Sequence, residues 1–389
     1  MTDARILICG DYYPSEIIKD ELNSGKELFD KNFKDLLSKA NYSIVNLECP
    51  VFDGDSFKKA QKSGPVLQGY PEGVDYLKKE GFKMVTLANN HILDYGFDGL
   101  RSTISYLKKN SINYVGAGLY TEEVKKSNII SVGDYTIGVI NVCEHEFSVV
   151  DGNSYGANPL DVASVFYNIR ELKNQSDFIL LIVHGGHEHY QLPSPRMKKL
   201  YRLFIDMGVD VVINSHQHCF SGYEEYNSKF IFYGLGNFIF SQIDRSETKS
   251  SWNEGIAILL TLKKNKDSKI IGFEIWPYNQ CVGGVNFCLY PKESPAHQKV
   301  NSKIQEINAI IEDDSKLHDE FVHMAYLRRY HFLMLLTSFR SRLMKGLCYR
   351  KIIPHFISKR RLLLAKNSIT CESHLDVFRE FINSNLINS

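Results

Sequence analysis

The sequence predicts an α/β protein in which two packed sheets carry helices outside and a helical extension follows. Three observations predict it. Through the first half, short apolar runs bounded by Gly, Asn or Asp alternate with stretches whose apolar residues recur at helical period, the pattern of βα units. From residue 230 onward strands follow one another with only turn-rich links. After about residue 290 the apolar period is helical.

In chain order, strands are expected at 5–9, 42–47, 84–87, 135–141, 178–183 and 209–214. Helices are expected between them at 26–38, 73–79, 97–109, 160–172 and 196–207. The strand-only part comprises 230–233, 256–262 and 270–277, and the helical part 298–311, 317–344 and 375–381, with Pro354 as an interruption. This divides the chain into a body, 1–285, and a basic helical extension, 290–389. No internal repeat is evident.

Composition is that of an ordinary globular protein, with 43% hydrophobic and 23% charged residues among 389. The length suits one large domain with an appendage. Met1 to Ala4 lead straight into an apolar strand without the charged and apolar regions of a signal peptide, and no apolar run reaches membrane-spanning length. A cytoplasmic protein, peripheral at most to the inner membrane face, is expected. The eight cysteines include no C-x-x-C pair, so neither disulfides nor a cysteine zinc site is expected.

The strand ends carry the chemistry. Gly10-Asp11 follows the first strand, Asn46-Leu47-Glu48 ends the second, Asn89-Asn90-His91 follows the third, and His184 and His216-Gln217-His218 follow later ones. In α/β folds ligand sites assemble at the carboxyl ends of strands. Asp11, Glu48, Asn90, His184, His216 and His218 form a mixed oxygen and nitrogen donor set suited to Zn²⁺, Mn²⁺ or Fe. Six donors exceed what one catalytic ion keeps, so two divalent ions are expected, with Glu48 as the bridge. Three residues beyond His91, Asp94 is close enough to hold the imidazole in one tautomer, as an acid that donates to a leaving group.

Each piece has a plainer alternative. Gly-Asp after a strand is usually a turn, Asn89-Asn90 is turn chemistry, Asp94 caps a helix, and H-x-H alone is weak evidence for a metal. Their joint occurrence at successive strand ends favours the metal site.

These motifs, with Asn46-Leu47-Glu48-x-Pro50, Ala88-Asn89-Asn90-His91-x-x-Asp94-x-Gly96, Gly116-Ala117-Gly118, His184-x-Gly186-x-Glu188 and Tyr233-Gly234-Leu235-Gly236-Asn237, resemble the CapA family of capsule and poly-γ-glutamate synthesis. That family belongs to the calcineurin-like metallophosphoesterase superfamily. The likeness runs from residue 5 to about 262 in the family's order. It implies a four-layer sandwich of two mixed sheets flanked by helices, a dinuclear site at the six donors, His91 as acid, and capsule or exopolysaccharide synthesis as the setting. Asn46, Asn89, Glu188 and Asn237 are expected to support the donors or meet substrate. Three positions depart from the pattern: Tyr13 stands where the superfamily carries His, Gly185 where the family commonly has an aromatic, and Gln217 where it commonly has Pro. His187, His189 and the run Glu144-His145-Glu146 flank the site and are weaker candidates.

The two ends of the chain differ in charge. Residues 321–389 hold 12 Lys or Arg against 3 Asp or Glu, whereas 1–320 hold 34 against 42. From Phe321 to Thr370 there is no acidic residue at all. Such a basic amphipathic stretch suits an anionic membrane face, a membrane-bound capsule-synthesis partner or the acidic body itself, and no nucleic-acid motif accompanies it. The expected function is metal-dependent hydrolysis on a glycan or anionic polymer intermediate. The rivals are a non-catalytic assembly component that binds such a polymer and a membrane synthase, and a ligase-assisting subunit; no phosphate-binding loop supports ligation by this chain alone.

Overall fold

The structure, a computed structural model, describes residues 2–387 except 55–56, 63, 151–153, 242–250, 266–267 and 329–358. Its first sheet places the parallel strands Ala4–Tyr13, Tyr42–Leu47, Met84–Thr86 and Asn113–Val115 side by side. The other edge of Ala4–Tyr13 is shared. Ala4 to Ile8 pair antiparallel with Glu254–Asn265, whereas Asp11 to Tyr13 pair parallel with Asn237–Phe240. Ser268–Gln280 and Phe287–Leu289 complete this sheet. The second sheet runs Tyr223–Tyr226, Lys229–Phe232, Val211–Ser215, Phe178–His184, Tyr135–Cys143, Asn128–Val132, parallel in its middle and antiparallel at both edges.

Side-chain alternation decides which face meets what. Ile6, Ile8, Ile44 and Met84 join the core of the second sheet, while Leu7, Cys9, Val45, Leu47 and Val85 face the other way. That outer face packs on Phe33, Val74, Leu77, Leu100 and Ile104 from the helices Lys31–Leu37, Pro71–Glu80 and Gly96–Lys109. The central strand Phe178–His184 is buried at every residue, which explains its unbroken apolar run. The outer face of its sheet is covered by Val162–Leu172 and Pro195–Met207, through residues such as Ile169 and Phe204, while Pro295–Glu312 packs along the edge on Tyr223–Tyr226 and Ser268–Gln280. The result is four layers, helix, sheet, sheet, helix. The later helices are not all separate from it, since Val300, Ile304, Ile307, Ile311 and Leu317 enter the same core.

Helix starts follow local chemistry. Ser194, Asp161 and Ser294 each accept from the third following amide, and Pro195 and Pro295 occupy first positions where no amide donor is needed. The helix expected at 26–38 spans only Lys31–Leu37, because Asp30 caps it by accepting from Phe33 N at 2.8 Å. A preceding helix, Glu16–Asn23, and the strands Asn113–Val115, Asn128–Val132 and Asn237–Phe240 are additional to the expected ones; each is too short for its period to register. Of the helix expected at 317–344, the described part ends at Arg328, and Pro354 with most of the basic stretch 321–370 falls at 329–358, outside the described residues. Lys359–Thr370 is a further helix, and 375–381 lies within Glu372–Ile387. Among the described residues no helix is long and apolar enough to cross a membrane.

Candidate metal centre

The strand Ala4–Tyr13 is irregular between Cys9 and Asp11, and this turns the Asp11 carboxylate into the rim where the other strand ends meet. Gly10 permits it, since a Cβ there would lie 1.8 Å from the Gly236 carbonyl oxygen. Gly10→Ala is expected to destabilise the protein by about 1–3 kcal/mol or more, read as a fall in melting temperature. An unchanged melting temperature would refute the close approach.

The six expected donors come together, each no more than 6% exposed. His184 Nε2 lies 3.1 Å from Asn90 Oδ1, 3.0 Å from His216 Nδ1 and 3.5 Å from Glu48 Oε1. His218 Nε2 lies 3.7 Å from the same Glu48 oxygen, and its Nδ1 3.7 Å from Asp11 Oδ2. Glu48 is therefore common to two groups, Glu48–His184–His216 and Asp11–Glu48–His218, in each of which the donor atoms lie within 4.8 Å of one another. Burial, with the Asp11 charge adding to it, pushes the Glu48 carboxyl well up, and both its oxygens are buried without a hydrogen-bond partner. Burial lowers His184 and His218, keeping both imidazoles in the neutral, metal-ligating form. An orphaned buried carboxylate is costly, and a cation beside it removes the cost, so the donor set fits divalent metal.

A second ring of groups fixes the donors. Asn46 donates to Asp11 Oδ1 at 2.7 Å and accepts from Thr86 and Asn89. Asn89 donates to the Leu47 carbonyl and accepts from the His91 amide. Asn237 Oδ1 accepts from His218 Nδ1 at 2.9 Å, with Nε2 facing Glu48. The His216 amide donates to Asp11 Oδ2 at 3.0 Å, and His216 and His218 sit at φ 96° and 56°, a left-handed backbone that side chains avoid without compensation. Glu188 is not in this buried set: its side chain is 49% exposed, 4.0 Å from His189.

His91 Nδ1 lies 2.7 Å from Asp94 Oδ2, which also accepts from the Leu67 amide at 2.7 Å. Asp94 does not cap the helix Gly96–Lys109, whose N-cap is Tyr95. Its other oxygen pairs with Lys62, a 3% exposed cation 3.0 Å from His91 Nδ1. Lys62 carries no distinguishing sequence signal, because it lies in an irregular stretch with Lys58 and Lys59 that has the look of an ordinary solvated run. Trp252, whose ring centroid is 4.7 Å from that of His218, left no signal either. Tyr13 packs on Phe240 at 5.1 Å, and burial raises the pKa of its hydroxyl.

Glu144 enters from the end of Tyr135–Cys143. With Asn90, His184, Gly185, His216 and Cys371 it lines a small cavity beside the donors. Gly185 makes room for it, since a Cβ there would lie 2.7 Å from Glu144 Cγ. Burial works against the Glu144 charge, but Arg196 and Ser373 hold its carboxyl at about 2. His187 packs against Phe321, 5.7 Å between rings, with both nitrogens buried and without hydrogen-bond partners. His145 turns outward to Glu372, which accepts from its amide at 2.8 Å and meets its Nδ1 at 2.5 Å. Glu372, with Asp161 and Glu144 farther off, raises the His145 pKa above its ordinary 6.5 despite partial burial. This contribution is complete below pH 6.5 and is lost as pH rises through the raised value. The melting-temperature gap between wild type and Glu372→Gln should thus be widest at pH 6 and narrow by pH 8.5, from about 0.5–1 kcal/mol after solvent screening. A gap that widens with pH would contradict the pairing.

A two-sheet α/β protein whose strand ends gather carboxylates, an amide and three imidazoles into one buried set has a donor cluster compatible with divalent metal. The chain belongs to the bacterial capsule synthesis protein PGA_cap family, whose model matches residues 5–242. It is 31% identical to the PGA biosynthesis protein CapA of Bacillus subtilis (strain 168) over 242 residues, 61% of each chain. To the capsule biosynthesis protein CapA of Bacillus anthracis it is 30% identical, over 60% of this chain and 59% of that one. A probable polyglutamine synthesis accessory protein of Mycobacterium tuberculosis (strain H37Rv) is 25% identical over 60% of this chain and 64% of its own. The chain thus matches about three-fifths of the length of these relatives. Among solved structures, a hypothetical protein from Thermus thermophilus superposes at TM-score 0.42 with 15% identity, over 70% of this chain and 99% of that one. The 5'-nucleotidase of Candida albicans SC5314 does so at 0.40 with 9% identity, over 70% and 50%.

Proposed function

We propose that the chain is a dinuclear metal-dependent hydrolase, phosphoesterase-like, acting on a glycan or anionic polymer intermediate of capsule, exopolysaccharide or poly-γ-glutamate synthesis. The observation that carries this reading is Glu48, a buried carboxylate with two unpartnered oxygens shared by two donor groups. Asp11, Glu48 and His218 would hold one ion of Mn, Zn or Fe, and Glu48, Asn90, His184 and His216 the other. Bound there, the ions would supply Lewis-acid activation of water and of a phosphoryl oxygen.

The chain's own groups do the rest. Asn46 and Asn237 hold Asp11 and His218 in orientation. His91, tied through Nδ1 to Asp94, keeps Nε2 for proton donation to the leaving oxygen, and Lys62 balances the Asp94 charge so that Asp94 orients rather than competes. Glu188, half-exposed at the mouth, is suited to meet substrate. The basic stretch 321–370 would bring this site to the inner face of the membrane or to a capsule-synthesis partner there.

The test is metal analysis of the purified protein, followed by assay on an aryl phosphodiester with Mn²⁺ or Zn²⁺ added. Bound metal with hydrolysis is expected; no bound ion and no hydrolysis with either metal would overturn the reading. Tyr13, in place of an expected imidazole, favours one alternative, a non-catalytic or ligase-assisting component that binds an anionic polymer. Capsule formation that survives loss of Asp11 and His216 would favour it.

A further inference from the structure

The helix Glu372–Ile387 lies far beyond residues 5–242 matched by the family model, yet its first turn reaches Glu144, beside the donor cluster. Glu144 is the junction. Its amide donates to the His184 carbonyl at 3.0 Å, and its Oε2 accepts from the Gly186 amide at 3.3 Å and the Ser373 amide at 3.2 Å. Its Oε1 meets Arg196 Nη2 at 2.5 Å, and Arg196 Nε reaches Asp376 at 2.6 Å. Ser194 Oγ donates to Asp376 at 3.1 Å, and Glu372 clasps His145 on the other flank. Phe321, Met324, Val377 and Phe381 form a small apolar cluster behind these bonds. Cys371, 3% exposed, lines the same cavity as Asn90, His184 and His216.

We infer that the C-terminal helix is a working wall of this site: residues 371–376, through Glu144 and Arg196, position the His184-Gly185-Gly186 turn and limit what can approach the donors. Gly185 is the matching adaptation, because any side chain there would expel Glu144 and break the connection. Removing one partner from such a network leaves the remaining buried charge uncompensated, so Glu144, Arg196 and Asp376 favour the docked helix together. The assignment of His184 as a metal ligand rests on the proposed function; the positioning of its turn does not.

The test uses the full chain with Glu372→Gln and Asp376→Asn combined, neither residue being a donor. Hydrogen exchange is followed at residues 184–187 and, as internal reference, in the strand Tyr42–Leu47. Thiol modification of Cys371 is compared with that of the exposed Cys288. Expected are faster Cys371 modification and about tenfold faster exchange at 184–187 with the reference strand unchanged, reversed toward wild type by restoring Asp376 alone. Mn²⁺ affinity should weaken by about tenfold or more. Cys371 freed while exchange at 184–187 stays at the wild-type rate would overturn the inference, as would Cys371 equally protected in both proteins. A wild-type chain that binds neither Mn²⁺ nor Zn²⁺ would instead overturn the metal reading, and the exchange result would still decide this one.

Discussion

His91→Ala should lower turnover by about 10²–10⁴-fold while metal content stays at the wild-type level, because it removes a proton donor and none of the six donors. The size of the loss should depend on the leaving group. An alkoxide needs a proton as its bond breaks, whereas a nitrophenolate leaves without one. The variant should therefore fail on alkyl phosphoesters and retain most activity on nitrophenyl esters. Single-turnover rates on both substrate types, with metal analysis of the same preparations, check this. Equal losses on the two types would remove His91 from the acid role, and loss of metal would make it structural. Asp94→Asn, which keeps the imidazole contact but not the Lys62 ion pair, should show a milder form of the same pattern, about tenfold.

Glu48→Gln should act in opposite directions on the metal-free and metal-loaded protein. Without metal, the wild-type carboxylate is buried beside Asp11 with no hydrogen-bond partner, and the neutral amide relieves the charge. The metal-free variant should be more stable by about 1–3 kcal/mol at pH 7, several degrees in melting temperature. Because burial raises the Glu48 pKa above its ordinary 4.5, the wild-type penalty is absent below that pH and grows as pH rises above it. The advantage of Gln should accordingly vanish in acid. With metal added, the wild type should gain stability and the variant should not, since the shared donor is gone. Scans at two pH values, with and without Mn²⁺, give all four readings. A variant less stable than wild type without metal would mean that Glu48 has a partner in the free protein.

Much of the architecture is legible in local patterning. Residues 178–183 are unbroken Phe-Ile-Leu-Leu-Ile-Val because that strand is covered on both faces, and the capping Ser194-Pro195 marks the following helix start. Asp11, Glu48, Asn90, His184, His216 and His218 are visible because each is a polar residue at the end of an apolar run, where a core would not place it. Short elements such as Asn113–Val115 and Asn237–Phe240 are invisible to periodicity because three or four residues hold too few repeats, and their pairing is decided by the long strands beside them.

What the amino-acid order determined alone is therefore the layered α/β class, the rim of strand ends and the donor types gathered on it. Only the tertiary structure decided that Lys62 is buried against Asp94 and that Glu144 joins Arg196 to a helix more than 220 residues onward. The physical reason is that composition and period report burial along one element at a time. Ion pairs and shared carboxylates depend on which chain segments meet, and a charge in sequence looks the same whether water or a buried partner will neutralise it.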